Sequence, residues 1–163
     1  MQHFSERMQI KVITPYHQLA CLRRNYPDGR VIRQWKDGWA WTSMVQPRPS
    51  SPHYNFKIVY NHNRPEVYAL DQLELADGEI RLPHIYSQQR QRLCLYLPNG
   101  IEWNATMPVT KIVPWVAKWF YFYESWVVTG IWSGGGIHVT DDAYQQIHSS
   151  RTKRRYNKRK RRK

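Results

Sequence analysis

The chain has 163 residues, a net charge of +13, and 8 Trp, 11 Tyr and 4 Phe. This length suits one domain with a buried core, and so many large rings are typical of a folded chain rather than a disordered one. No apolar run approaches the ~20 residues that span a bilayer. The polar residues 1–11 also lack the apolar core of a secretory signal. We therefore expect a cytoplasmic protein with no membrane partner.

The positive charge is concentrated in one segment of the sequence. Ten Lys or Arg and no acidic residue lie between Arg151 and Lys163, and subtracting them from +13 leaves +3 for the remainder. Because like charges in series repel, this tail is predicted to be disordered in isolation. We divide the chain into an N-terminal extension (residues 1–13), one folded domain (14–142) and a basic tail (143–163).

A short helix is the first predicted element, over residues 15–24. Thr14 is a suitable N-cap, and Pro15 suits the first helical position, where a missing N–H costs nothing. The apolar face of this helix would be formed by Leu19, Ala20 and Leu22.

Four strands are predicted next, after a turn at residues 26–29. Their ranges are residues 30–35, 39–45, 54–60 and 67–70. The third strand places Tyr54, Phe56, Ile58 and Tyr60 on one face, which is the two-residue periodicity of a strand. Short connections between successive strands predict a four-stranded antiparallel meander.

A mostly irregular segment, residues 73–98, precedes a long helix predicted over residues 110–128. Pro114 is tolerated in the first turn, and Gly130 can end the helix. Apolar side chains recur at spacings of three and four and should form a buried face. They are Ile112, Val116, Trp119, Tyr123, Trp126 and Val127. Helix, meander, irregular loop and helix together indicate an α+β fold.

Two cysteines are the candidates for chemistry, Cys21 and Cys94. No Cys-x-x-Cys pair is present, so a structural zinc site is not expected. A disulfide between the two cysteines is not expected either, because thiols stay reduced in the cytoplasm. Cys21 is most simply a packing residue. Cys94 follows Arg90 and Arg92, whose charges would lower its pKa and favour the nucleophilic thiolate. The alternative for Cys94 is a small buried apolar residue.

The surroundings of Cys94 carry a family resemblance. His84-Ile85-Tyr86 lies ten residues before Cys94, and Trp103 follows it by nine. This spacing resembles the His-Pro-Asn signature, the active cysteine and a following Trp of ubiquitin-conjugating enzymes.

Further motifs are more specific. They are Leu93-Cys94-Leu95-Tyr96, Glu102-Trp103, Pro114-Trp115, Trp119, Tyr123-Glu124-x-Trp126, Thr129-Gly130-x-Trp132 and Gly134-Gly135-Gly136-Ile137-His138. They resemble the conjugating-enzyme-like proteins of bacterial cyclic-oligonucleotide antiphage systems (CBASS), which accompany a cGAS-like nucleotidyltransferase. The resemblance covers residues 14–138.

This resemblance implies a ubiquitin-conjugating-type (UBC-like) fold and transfer of a thioester. A protein C-terminal glycine, already activated, would pass to Cys94 and then to a lysine amine. The implied partners are the C-terminus of the nucleotidyltransferase or a ubiquitin-like protein, together with a separate activating enzyme. No cofactor is implied, and the sequence has no Gly-x-x-x-x-Gly-Lys nucleotide motif.

Tyr86 departs from the family pattern, because it stands where conjugating enzymes have the Asn assigned to oxyanion stabilisation or to holding the loop. Losing one oxyanion donor costs ~100–1000-fold in rate. The Tyr86 hydroxyl, Asn99, Asn104 or backbone N–H groups are the candidate substitutes. His84 is expected to order the loop, with a general-base role as the alternative. His138 is a candidate neighbour of the thiol.

Two other interpretations stay open. One is a non-catalytic binding module with a conjugating-type fold. The other is a nucleic-acid-binding protein that uses the basic tail, although no base-reading motif accompanies the charge. The tail could equally dock on an acidic partner, supply acceptor lysines, or only aid solubility. The glycine-rich residues 133–136 are either a tight turn or a backbone anion site.

Overall fold

A computed structural model describes residues 11–97 and 100–135. Asn99, His138 and the basic tail lie outside the described residues. Helix α1 spans Pro15–Asn25, and helix α2 spans Ile112–Thr129 after a 3-10 turn at Val109–Lys111. The strands are β1 (Arg30–Trp35), β2 (Gly38–Val45), β3 (Tyr54–Asn61), β4 (Arg64–Ala69), β5 (Ile85–Ser87) and β6 (Arg92–Leu93).

The strands form one antiparallel sheet in the order β1-β2-β3-β4-β6-β5. Strands β1 to β4 correspond to the four predicted strands and pair in chain order. The predicted count of four is wrong, because the segment predicted to be irregular adds β5 and β6 beside β4. These two strands have three and two residues, too few to show a periodicity in the sequence. The α+β class is confirmed.

Side-chain amides hold the rest of that segment in place. Gln88 Nε2 donates to Leu82 O, and its Oε1 accepts from Leu82 N–H, both at 2.9 Å. Gln91 likewise accepts from Leu73 N–H at 2.9 Å and donates to Asp71 O at 2.8 Å. Each amide therefore satisfies two backbone groups that have no strand partner, which lets an irregular loop pack at the sheet edge.

Helix α2 packs its aromatic face into the core, as predicted. Its buried residues are Ile112, Val113, Val116, Trp119, Phe120, Tyr123 and Trp126, and Val127 is half-buried against them. Gly130 ends the helix with a φ of 69°, and its N–H donates to Trp126 O at 2.8 Å. This left-handed conformation suits glycine, so the predicted end is confirmed. The start falls later than predicted because the first residues form the 3-10 turn.

Helix α1 begins as predicted, because Thr14 Oγ1 accepts from the N–H of His17 at 3.3 Å. Its predicted apolar face is wrong at one position, since Ala20 is exposed and Gln18 is fully buried. The Gln18 amide donates to Met107 O at 2.9 Å and accepts from Val109 N–H at 2.6 Å. A polar side chain can be buried here because both ends of its amide are satisfied.

Candidate active site

A short hairpin places Cys94 beside His84. Cys94 follows β6 directly, and its N–H donates to His84 O at 2.9 Å, one residue before β5. The ten-residue interval found in the sequence is therefore the length of the β5–β6 hairpin. His84 has a φ of 45°, a left-handed conformation that is uncommon for a residue with a side chain. The hairpin thus fixes the backbone of both residues.

His84 also joins this hairpin to α2 and to the segment that follows it. Its carbonyl accepts from Trp119 Nε1 at 3.0 Å. Its ring, in a residue only 7 % exposed, stacks on Trp132 with centroids 4.9 Å apart and planes 22° apart. These contacts join the hairpin to α2, and the loop-ordering and general-base roles of His84 both stay predictions.

Cys94 lines an open cavity of about 340 Å³. The hairpin side is lined by His84 and Cys94 and by residues 95–97. The opposite side consists of α2 and the residues after it, and it is largely aromatic. Those residues are Trp115, Lys118, Trp119, Phe122, Trp132, Gly134 and Gly135. Cys94 itself is half-buried. The cavity therefore opens onto Cys94.

The pKa of Cys94 is raised, so the predicted lowering is wrong. Burial is the largest cause, because it penalises the charged thiolate, and the negative charge of Glu102 acts in the same direction. A hydrogen bond from the Tyr86 hydroxyl and the charge of Arg92 oppose these effects without cancelling them. Sequence proximity to two arginines was therefore a poor guide to the charge that the sulfur experiences.

The two arginines are engaged elsewhere. Arg90 donates to the Tyr68 hydroxyl at 3.0 Å and lies 4.7 Å from the centre of that ring. Arg92 pairs with Glu66 at 3.2 Å and lies 4.9 Å from the centre of the Tyr86 ring. Their charges are shared with these partners, which weakens any stabilisation of a thiolate.

Tyr86 places its hydroxyl next to the thiol. The residue is 8 % exposed, and the hydroxyl donates to Tyr96 O at 2.5 Å, two residues beyond Cys94. Burial is the main reason that the pKa of Tyr86 is raised well above its usual value, and its hydrogen bond with Cys94 adds to this. Tyr86 consequently keeps its proton, which it donates to Tyr96 O, and its hydroxyl lies within hydrogen-bond reach of Cys94.

Two other predicted residues lie away from this cavity. Trp103 is buried in the core, and its Nε1 donates to Asn63 O at 3.3 Å. Asn104 accepts from both the N–H and the hydroxyl of Thr106, at 3.1 and 2.5 Å. Both line a separate cavity of about 240 Å³. The structure does not bring Asn104 to the thiol, and Trp103 supports the surrounding loop through the core.

Sequence reasoning gave no role to two charged residues at the Cys94 cavity, Glu102 and Lys118. A signal for the second was present: Trp115, Lys118 and Phe122 recur at spacings of three and four, so they share a face of α2. That face of α2 adjoins the buried face, and its pattern would have predicted that α2 lines a cavity as well as the core. No periodicity reports Glu102, because it lies in a loop.

Metal binding has no support within residues 11–97 and 100–135, where no group of three or more His, Cys, Asp or Glu could hold an ion. In the same part of the chain, neither helix combines the length and apolar character needed to cross a bilayer.

The fold and the site together define an α+β domain with one half-buried cysteine at an open, aromatic-walled cavity. A family model described as Type II CBASS E2 protein matches residues 18–139. The chain therefore belongs to the E2 proteins of type II CBASS, which confirms the family resemblance seen in the sequence. No curated protein matches the chain.

Proposed function

We propose that this protein is a conjugating enzyme that carries a protein C-terminal glycine as a thioester on Cys94. In the first step Cys94 sulfur attacks the carbonyl carbon of an activated donor, and the donor's previous thiol leaves. In the second step an amine of the target attacks the same carbon, an amide forms, and Cys94 leaves as a thiolate that regains a proton. The conjugating domain is proposed to span residues 14–142, with a UBC-like fold.

The observation that carries this proposal is the position of Cys94, half-buried on the wall of an open cavity of about 340 Å³ that is large enough for a peptide end. The glycyl group bound to sulfur would extend into the space between the hairpin and α2. Aromatic walls favour binding of a peptide backbone and its apolar side chains, because they offer large contact areas.

The raised pKa of Cys94 suits a carrier of acyl groups. Burial and Glu102 disfavour the charged thiolate, whereas the sulfur of a thioester is neutral and pays no such penalty. Loading therefore replaces a neutral thiol by a neutral thioester, and neither of these two states carries the buried charge that the thiolate would. The same environment makes the sulfur a reluctant leaving group, so loss of the acyl group would await a well-placed amine.

Tyr86 is proposed to provide the hydrogen-bond donor that conjugating enzymes take from Asn. Its hydroxyl is protonated and lies beside Cys94, and during transfer it would exchange Tyr96 O for the acyl oxygen, where negative charge develops. His84 is proposed to hold the hairpin against α2. Asn99 and His138 remain predictions, since both lie outside the described residues.

Family membership supports a place in antiphage defence. The proposed donor is the C-terminus of a cGAS-like nucleotidyltransferase, whose conjugation would prime its signalling in the cytoplasm. A ubiquitin-like donor is the alternative. A separate activating enzyme is the proposed source of the activated carboxylate, and no cofactor of this chain is proposed.

The two cysteines provide the test of this function. The protein is incubated with a donor protein activated at its C-terminal glycine and run on a non-reducing gel. An adduct that a thiol reductant removes is expected for the wild type and for Cys21→Ala, because Cys21 lies on α1 and does not line the cavity. Cys94→Ala should give no adduct. Persistence of the adduct in Cys94→Ala would show that the wrong nucleophile is proposed.

A second candidate is a non-catalytic binding module. The raised pKa of Cys94 is compatible with this candidate, because an inactive variant needs no thiolate. Full antiphage activity of Cys94→Ala would favour this candidate over the enzyme. Nucleic-acid binding by the tail predicts affinity for generic DNA or RNA that weakens steeply with salt. That binding should be lost on truncation after Ser150.

A further inference from the structure

Lys118 is a charged residue at the Cys94 cavity to which the proposed function gives no role. It is exposed on α2, and it lines the cavity together with Trp115 and Phe122. The three residues are spaced by three and four along the helix, so their side chains lie on one face of it. A regular helix therefore sets the position of Lys118 on the aromatic wall of the cavity.

The charge of Lys118 has no acidic partner among the described residues. No ion pair between two of these residues includes it. Its Nζ instead lies 5.9 Å from the centre of the Phe122 ring, near the outer limit of a cation–π contact. A lysine can keep its hydrocarbon stem against apolar walls while its ammonium group reaches solvent. The ammonium group of Lys118 can therefore pair with a ligand.

The carboxylate of Glu102 lines the same cavity on the side of the hairpin. Its Oε2 accepts from the N–H of Leu97 at 2.5 Å, so part of its charge is already compensated by the protein. Lys118 has no comparable anionic partner in the part of the chain that the structure describes. The charge that these residues leave for a ligand to neutralise is therefore mainly positive.

The proposed donor would pass within reach of Lys118. Its glycyl carbonyl carbon is bonded to the sulfur of Cys94, and the residues before the glycine extend into the cavity that Lys118 lines. An extended peptide advances by about 3.3 Å per residue, so a side chain only a few residues before the glycine can meet the cavity wall. A carboxylate there would pair with Lys118 beside aromatic rings that exclude water and strengthen the attraction.

We propose that Lys118 is a specificity-determining residue, which selects donor proteins with an aspartate or glutamate a few residues before the C-terminal glycine. This inference rests on the proposed function. Lys118 recognises a side chain of the donor and takes no part in making or breaking bonds. An acidic donor gains an ion pair with Lys118, whereas a basic donor brings a second positive charge to the same place. Selection is the difference between these two free energies.

Peptides that differ at one position test this selection. Each is a short peptide alkyl thioester that ends in glycine, with Glu, Gln or Lys at one of the few positions before the glycine. Loading joins the Cys94 sulfur to the glycyl carbonyl carbon, and the alkyl thiol leaves with the proton of Cys94. Intact-protein mass spectrometry follows this rate. At one position the wild type should load the Glu peptide about 5- to 20-fold faster than the Lys peptide at low salt, with Gln between them.

Charge reversal at Lys118 separates recognition from a structural effect. Lys118→Glu should load the Lys peptide fastest, and Lys118→Met, which keeps an unbranched stem, should load all three at similar rates. A change in the reactivity of Cys94 alters every rate by the same factor, so the ratio between peptides reports recognition. Lys111→Glu is the matched control, because Lys111 is exposed and does not line this cavity. It should keep the order of the wild type.

Equal loading of the Glu and Lys peptides by the wild type at every position would overturn this inference. The wild-type order in Lys118→Glu would overturn it as well, since another residue would then be the cause. A glycyl group mapped to Lys118 would make it an acceptor and would also contradict the inference. If Lys118→Glu does not fold, an unchanged preference in Lys118→Met has the same meaning. Failure of the wild type to load any donor would instead refute the proposed function, and the inference with it.

Discussion

Two of the cavities lined by the described residues lie beside α2, and the polar group that each contains has different surroundings. One, of about 340 Å³, contains Cys94, and the other, of about 480 Å³, contains Glu124. The Glu124 side chain is 12 % exposed, and its Oε2 accepts from Arg48 at 2.5 Å and from Ser51 Oγ at 2.9 Å. These bonds tie the loop after β2 to α2. Cys94 instead is half-buried on the wall of an open cavity.

The comparison teaches that burial alone does not mark a reactive group. A carboxylate that is both buried and hydrogen-bonded acts as an anchor, because breaking its contacts leaves a charge without compensation. A thiol can be buried in its neutral form at little cost, and its environment then sets how readily it reacts. Mutations at the Cys94 cavity should therefore change the rate of acyl transfer. Mutations at the Glu124 cavity should change the free energy of unfolding.

Tyr86→Phe should give the largest effect at the Cys94 cavity. It removes the hydroxyl that contacts the sulfur, and the rate of acyl transfer should fall by about 100-fold, as for loss of one oxyanion donor. Single-turnover discharge of loaded protein measures this rate. Tyr68→Phe is the control, because its hydroxyl bonds Glu66 on the sheet and should not affect transfer. Equal rates for Tyr86→Phe and wild type would remove the proposed role.

Ser51→Ala, at the Glu124 cavity, should give a smaller effect, and this effect should be on stability rather than on acyl transfer. The buried Ser51 hydroxyl donates to a carboxylate, and losing such a bond should lower the free energy of unfolding by about 1–2 kcal/mol. Chemical denaturation measures it, with the exposed neighbour in Ser50→Ala as the control. Loading of Cys94 should not change. A loss of Cys94 loading at an unchanged free energy of unfolding would contradict the claim that one cavity serves the reaction and the other serves stability.

The smallest expected effect concerns alkylation of the two cysteines. The pKa of Cys94 is raised, so less of it is thiolate at neutral pH and iodoacetamide should modify it more slowly than Cys21. The rate at Cys94 should also keep rising at higher pH. Cys21→Ala and Cys94→Ala isolate the two sites for mass spectrometry. Faster alkylation of Cys94 near neutral pH would mean that burial does not dominate its pKa.

The long periodic elements could be predicted from the sequence because their patterns are local. The face of α2 repeats over five turns, and β3 alternates over its whole length. Short strands β5 and β6 carry no such pattern, and β6 joins the sheet through its pairing with β4 at Tyr68 and Arg92. This pairing joins residues far apart in the chain, which a local pattern does not report.

The site was predictable in part for the same reason. The interval from His84 to Cys94 is a local feature of the sequence, and in the structure the β5–β6 hairpin brings these two residues together. The direction of the Arg90 side chain depends on Tyr68 in another strand, so the expected effect on the pKa of Cys94 failed. The position of Glu102 depends on how its loop folds back to Leu97. Tertiary contacts therefore decided which charges surround the sulfur.

Locating the acyl group on the loaded protein tests the central claim most directly. The protein is treated with a peptide that ends in an activated glycine, digested without reductant, and mapped by tandem mass spectrometry. The account predicts the glycyl group on the sulfur of Cys94, released by hydroxylamine. A glycyl group found only on Cys21 or on lysines, with Cys94 unmodified, would contradict it.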